Sequence, residues 1–224
     1  MDIGIFGGTF NPVHHGHLIV AEQIREWFGL SRISFVPSAI PPHKDGPILE
    51  GHYRLRMVKL ATESNPYFYD CALEVNRGGS SYTIDTVMEL KSDLGAEHIF
   101  YFILGTDAFK DITSWKDYRH LLQNVRFIVI SRPGAKIDSV LRDLSSLLDD
   151  PDLKLVWKII NTQEISKGIQ PHEADIFFVP VPQIDISSSD IRQMIQTGRS
   201  IRYQVPDAVR TYIETNRLYS GQDK

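Results

Sequence analysis

The residue types with the clearest chemical use are crowded into "GGTFNPVHHGH", residues 7–17, between an apolar run and an amphipathic one. Gly7 and Gly8 allow a tight turn and let backbone N–H groups approach a ligand closely. His14 and His17 stand three apart, so one helical turn brings both imidazoles to one side. Each can donate a hydrogen bond to a phosphate oxygen, and an imidazole beside an anion is readily protonated. The helix that opens near Gly16 points its positive end at the same spot. A second cluster, "ISSSDIR" at 186–192, sets Ser188, Ser189 and Arg192 at another helix start. That segment reads as a strong helix-start signal, with one of the three serines as a plain N-cap. The first cluster has the chemistry of a seat for a phosphate chain.

Two familiar phosphate-binding patterns are missing: there is no G-x-x-x-x-G-K-[ST] loop and no G-x-G-x-x-G fingerprint. His14, His15 and His17 have no carboxylate or cysteine at ligand spacing, so no dedicated metal site is expected. His15 is expected to point away and take no part.

The elements that must position these groups alternate. Strand-like apolar runs occur at Ile3–Phe6, Ile33–Val36, Ile99–Leu104, Phe127–Ile130 and 176–180, with extended stretches at 67–75 and Leu153–Ile160. Helical spacing covers Leu18–Phe28, Tyr53–Thr62, Ile84–Leu94, Tyr118–Gln123 and Val140–Leu148, then 185–198 and a last helix from Pro206 to Glu214. In Tyr53–Thr62, Leu55, Val58, Leu60 and Ala61 read as the apolar side, and 161–175 reads as a polar connection. Continuously apolar strands separated by helices predict an α/β fold with a doubly wound parallel sheet covered on both faces. Ligands of such sheets sit at the carboxyl ends of the strands. The unusual segments Gly7–His17, Ser38–Lys44, Gly105–Asp107 and Ser131–Arg132 all follow strands. A single domain spanning 1–224 is expected, its C-terminal helical portion, 185–224, carrying "ISSSDIR".

Composition removes several classes. The 224 residues carry 24 basic and 28 acidic side chains, a net charge of -4, which does not describe a nucleic-acid-coating protein. One cysteine, Cys71, excludes an internal disulfide and a multi-cysteine zinc site. The longest apolar runs fall well short of the roughly 20 residues of a spanning helix, and no signal pattern opens the chain. The expectation is a soluble cytoplasmic protein that touches neither membrane nor nucleic acid. Whether it is a homo-oligomer stays open.

"GGTFNPVHHGH" resembles the G-G-x-F-x-P-x-H-x-G-H signature of the nucleotidylyltransferase superfamily, and "ISSSDIR" resembles its second motif, I-S-S-T-x-I-R, with Ser189 for threonine. Class I aminoacyl-tRNA synthetases share the H-x-G-H element but carry a K-M-S-K-S type motif absent here. "PPHK" (41–44), "SYTIDT" (81–86), "GTDAFKDITSWKDY" (105–118), "SRPG" (131–134) and "VPDAVRTYIETNRLY" (205–219) narrow the likeness to the bacterial nicotinate-nucleotide adenylyltransferase family. The resemblance implies a Rossmann-like nucleotidylyltransferase fold. It also implies synthesis of deamido-NAD and pyrophosphate from ATP and nicotinate mononucleotide with a divalent metal, usually Mg2+. It further implies catalytic roles for His14, His17 and Arg192. ATP would be bound by Gly7, Gly8, Thr9, Phe10, His17, Gly105, Asp107, Arg132, Ser188, Ser189 and Arg192, and the mononucleotide by His43, Lys44, Thr83, Trp115 and Lys116. Asn11 stands where many relatives have aspartate and is given no catalytic role.

Bland readings stand beside these. Asp107 also reads as a helix cap, Lys44 as a surface charge, Trp115 as a core anchor, and Arg132 as the partner of an acid. Nicotinamide mononucleotide and phosphopantetheine are the alternative acceptors, and a nucleotide-binding sensor without turnover is the alternative of another class.

Overall fold

The computed structural model describes residues 1–41, 48–131, 137–182 and 184–221. Its strands are β1 (Asp2–Gly8), β2 (Arg32–Pro37), β3 (Phe68–Asp70), β4 (Ile99–Gly105), β5 (Arg126–Ser131), β6 (Trp157–Ile159) and β7 (Ile176–Pro180). They form one seven-stranded sheet in the order β3-β2-β1-β4-β5-β7-β6. The pairs β1–β4, β4–β5, β5–β7 and β6–β7 are parallel. The helices are α1 (His15–Phe28), α2 (Gly51–Thr62), α3 (Leu73–Arg77), α4 (Thr83–Leu94), α5 (Thr106–Lys110) and α6 (Tyr118–Asn124). They continue with α7 (Ile137–Asp143), α8 (Ser145–Leu148), α9 (Thr162–Lys167), α10 (Ser188–Gln196) and α11 (Asp207–Thr215).

Successive residues of a strand face opposite sides of its sheet, so a strand buried throughout must be covered on both. Ile3 and Ile5 of β1, Phe100–Leu104 of β4, Phe127–Val129 of β5 and Ile176–Val179 of β7 are all buried. Aromatic edges fill the space between elements: Phe28 of α1 meets Phe177 edge-on at 5.1 Å, and Phe109 of α5 meets Phe178 at 5.8 Å. Because β2 and β3 lie to one side of β1 and β4 to the other, the chain order reverses between β1 and β4. The carboxyl ends at such a reversal are where open α/β sheets take their ligands. Gly8 ends one of those strands and Gly105 the other.

The chain packs as two compact units. One comprises Met1–Gly7, Gln23–Ile33 and Tyr82–Gln183; the other comprises Gly8–Glu22, Ser34–Ser81 and Ile184–Lys224. In the second, α11 lies against α2 with Val209 and Ile213 buried.

The doubly wound parallel sheet is as the sequence predicts, and several local expectations are corrected. The stretch 67–75 is extended only over Phe68–Asp70. Residues 73–77, "LEVNR", include the good helix formers Leu73, Glu74 and Arg77 and turn into α3, closed where the Gly78 N–H bonds to the Glu74 carbonyl at 2.9 Å. Likewise 153–160 is a strand only at Trp157–Ile159, and the helix expected at 140–148 is divided into α7 and α8. The polar connection 161–175 contains α9, held by a complete capping box: Asn161 accepts from the Gln163 and Glu164 N–H groups, and Glu164 accepts from the Asn161 N–H. The buried stripe of α2 is Arg54, Met57, Val58 and Ala61 with Thr62, so Leu55 and Leu60 are not its core positions.

Candidate active site

The glycine corner works differently from a simple glycine turn. Gly7 and Gly8 lie in the extended end of β1, and neither has a positive φ. What they supply is room: a Cβ on Gly7 would fall 2.7 Å from the tip of Phe102, and one on Gly8 3.0 Å from the tip of Phe10. The left-handed residue is Phe10 itself, at φ 48°, followed by a cis Asn11–Pro12 bond. Phe10 is buried, tilted against Phe35 at 5.8 Å and edge-on to His17 at 5.1 Å. Its backbone therefore turns while its ring anchors the turn in the core.

His14 and His17 meet as predicted. Their rings stack with centroids 3.6 Å apart and planes 28° from parallel. The His14 carbonyl accepts the first bonds of α1, from the N–H groups of His17 at 3.0 Å and Leu18 at 3.4 Å. The His14 N–H in turn donates to His17 Nδ1 at 3.2 Å. That bond occupies the Nδ1 lone pair and assigns the proton of neutral His17 to Nε2. In that neutral form His17 presents its Nε2–H as a donor. Gly16 explains itself at the same place, since a Cβ there would lie 3.0 Å from His14 Nδ1. The His15 N–H bonds to the Gln204 carbonyl at 3.0 Å.

The helix tip reaches the same corner. Ser187 is the N-cap of α10, its side chain accepting from the Asp190 N–H at 3.1 Å. Ser188 and Ser189 are thereby left for other work. Ser188 Oγ donates to the Pro12 carbonyl at 2.8 Å, and Arg192 Nη1 donates to the Asn11 carbonyl at 2.8 Å. Arg192 Nη2 reaches Ser189 Oγ at 3.3 Å. These bonds join two segments about 180 residues apart in sequence, and they leave Arg192 with N–H groups to spare, because a guanidinium has five. The Asn11 side chain accepts from the buried Tyr219 hydroxyl at 2.8 Å.

Sequence reasoning missed Arg54. Its side chain is fully buried. Nη1 donates to the Thr9 carbonyl at 2.8 Å, Nη2 to the Ala39 carbonyl at 2.8 Å, and Nε to the Leu49 carbonyl at 2.6 Å. Burial lowers its pKa from the ordinary arginine value, with the nearby Tyr219 and Glu74 opposing that shift. Hydrogen bonds from a charged donor contribute about 1.5–3 kcal/mol each, which offsets the cost of taking the cation out of water. A weak signal existed: positions 54, 57, 58 and 61 form one helical stripe, and Arg54 is the charged member of it.

The remaining predicted residues lie in the other unit. Gly105 ends β4 in extended geometry at φ -77°, and a Cβ there would meet no atom within 4 Å. Asp107 is exposed in the first turn of α5. Thr83 opens the 12-residue helix α4, whose first N–H groups point outward from the helix end. Trp115 is half-buried, edge-on to Phe102 at 6.1 Å. Lys116 bonds both oxygens of Asp85 at 2.8 Å and lies 4.9 Å from the centre of the Tyr82 ring. Its ammonium is therefore engaged. Thr9 and Phe10 belong to the corner described above. His43, Lys44 and Arg132 lie outside the described residues.

Residues 5–194 match the cytidylyltransferase-like family. A probable nicotinate-nucleotide adenylyltransferase of Moorella thermoacetica is 40% identical over 220 residues, covering 97% of this chain and 91% of the relative. One of the same name from Geotalea uraniireducens is 40% identical, covering 98% and 99%. Among solved structures, nicotinic acid mononucleotide adenylyltransferase of Plasmodium falciparum complexed with NaAD superimposes with a TM-score of 0.68 at 22% identity, covering 97% of each chain. That last likeness speaks for the fold.

Proposed function

Because the chain belongs to the cytidylyltransferase-like family and, within it, to the nicotinate-nucleotide adenylyltransferases, we propose that it joins ATP and nicotinate mononucleotide into nicotinate adenine dinucleotide, releasing pyrophosphate, in NAD biosynthesis. The observation that carries this reading on the structural side is the pair of bonds from Ser188 and Arg192 to the Pro12 and Asn11 carbonyls, which bring the serine-arginine helix tip to the histidine corner.

A phosphate oxygen of the mononucleotide attacks the α-phosphorus of ATP in line. The new P–O bond forms as the bond to the β-phosphate bridging oxygen breaks, and pyrophosphate leaves. The attacking oxygen is already an anion near neutral pH, so the protein needs no general base. Its tasks are alignment and neutralisation of developing charge. His17 Nε2–H, His14, the Ser188 and Ser189 groups at the start of α10 and the spare N–H groups of Arg192 are the donors assigned to the triphosphate. Thr9 and Phe10 place the backbone beside it. Gly105 and Asp107 are assigned to the nucleoside, where a carboxylate can bind ribose hydroxyls. Thr83, the N–H groups at the start of α4 and the main chain at Trp115–Lys116 are assigned to the nicotinate carboxylate, which accepts hydrogen bonds and donates none. The indole of Trp115 is assigned to the pyridine ring.

Imidazoles, hydroxyls and a guanidinium make a polyanion seat, not a cation cage. A divalent ion, magnesium by the family resemblance, fits this donor set as a passenger on the triphosphate, whose oxygens would hold it, and it would add charge neutralisation there. No helix among the described residues is long and apolar enough to cross a membrane, and a cytoplasmic location is part of the proposal.

The test is pyrophosphate release from ATP with nicotinate mononucleotide, nicotinamide mononucleotide or phosphopantetheine as acceptor. The proposal expects the acid mononucleotide to give the highest kcat/KM. A preference for the amide or for phosphopantetheine would reassign the acceptor. Binding of ATP with no pyrophosphate from any of the three would make the protein a nucleotide sensor.

A further inference from the structure

We propose that Arg54 is a positioning residue that locks the Thr9 corner to both ends of the loop between β2 and α2, so that the two segments hold their places together. Ala39 lies just after β2 and Leu49 just before α2, and one buried guanidinium takes the carbonyls of both while a third N–H takes the carbonyl of Thr9. The corner and the loop are also tied at the main chain, where the Ser38 N–H donates to the Gly8 carbonyl at 2.9 Å. The Ala39 N–H is held by Ser81 Oγ at 2.8 Å, so the loop's first end is gripped from both sides. Among the described residues, the Arg54 side chain joins all three points. A planar fork with five N–H groups can aim at three carbonyls in different directions, whereas an ammonium is a single point on a flexible stem. None of the three acceptors is a side chain, so the contact fixes backbone and is indifferent to which residues occupy positions 9, 39 and 49.

The functional meaning rests on the reading that the corner seats the triphosphate. On that reading Arg54 touches neither substrate and acts through Thr9. Its loss should lower kcat more than it raises KM for ATP, because the donors remain but are no longer held in one arrangement.

The experiment compares Arg54→Lys and Arg54→Gln with Val58→Ala, a core truncation one turn further along α2. Hydrogen exchange read by mass spectrometry is the first measurement, and it needs no substrate. The lysine and glutamine variants are expected to exchange about tenfold faster than the parent at residues 8–11, 38–41 and 48–50, with β4 and β5 unchanged. Val58→Ala should not show that pattern. Rates at those three segments equal to the parent, or raised equally in Val58→Ala, would overturn the proposal and leave Arg54 an ordinary buried side chain. Pyrophosphate release is the second measurement, with kcat expected to fall at least tenfold in Arg54→Lys and less than threefold in Val58→Ala. Failure of that arm alone would count against the substrate reading and leave the lock intact. If neither Arg54 variant folds, the parent decides: saturating ATP should slow exchange at 38–41 and 48–50 together with 8–11, and unchanged exchange at the two loop ends would overturn the lock.

Discussion

Gly16→Ala tests the histidine corner with a single methyl group. That methyl would lie 3.0 Å from His14 Nδ1, 3.1 Å from its Cε1 and 3.6 Å from Ile184 Cγ2. Heavy atoms in a core settle at about 3.5–4.0 Å, so the imidazole or the first turn of α1 must yield by about 0.5 Å. The ring has little freedom, because His14 is 6% exposed and stacked 3.6 Å from His17. Overpacking of this kind costs about 1–3 kcal/mol, while alanine in place of a helical glycine returns up to about 1 kcal/mol. Net stability should therefore fall by only about 0–3 kcal/mol. Catalysis should suffer more. A displacement near 1 Å costs about a hundredfold in rate, so half of that should cost about tenfold. Urea denaturation and steady-state pyrophosphate release at saturating substrates measure the two effects on one preparation. If kcat stays within twofold of the parent while stability drops, the position of the His14 ring does not govern the reaction and the reasoning fails.

Two further outcomes follow from particular contacts. Gly105→Ala meets no atom within 4 Å and keeps an ordinary φ, so stability should change by less than about 0.5 kcal/mol; KM for ATP should nevertheless rise several-fold if the nucleoside lies against that backbone, and an unchanged KM would remove Gly105 from the site. Tyr101 is buried, donates to the Pro171 carbonyl at 2.8 Å, and has its phenol pushed up to about 12 by burial. Its unfolded value is near 10, so the native state holds the proton longer, and the stability this represents is whole below pH 10 and lost as pH rises toward 12, about 2–3 kcal/mol in all. Tyr101→Phe should accordingly show a flatter fall of the denaturation midpoint between pH 10 and 12; equal slopes would show that another group sets the alkaline limit.

Strands were legible because a run such as Ile99–Leu104 is apolar at every position, which only a doubly covered sheet requires. Ends and short elements were less so. Residues 72–75 sit equally well in an extended reading, and only the Gly78 cap and a buried Glu74 decide for helix. The capping box of α9 was written in "NTQE" but embedded in a segment polar enough to pass for loop. Within the site, residue types were readable and their partners were not. Gly7 and Gly8 were assigned to a turn, yet their reason is two aromatic rings, one of them contributed by Phe102, 95 residues beyond Gly7. Arg54 was assigned to no role because a charge in an amphipathic pattern is taken to face solvent, and its three acceptors are main-chain carbonyls that no side-chain pattern can reveal.

The claim that most depends on this geometry is that the Nε2–H of His17 stabilises the triphosphate as pyrophosphate departs. Single-turnover pyrophosphate formation by His17→Ala, with ATP and nicotinate mononucleotide and with folding checked by circular dichroism, tests it most directly. The account expects an unaltered fold and a rate lower by about a hundred- to a thousandfold, the scale of losing one preorganised donor. A folded variant turning over within threefold of the parent would contradict it.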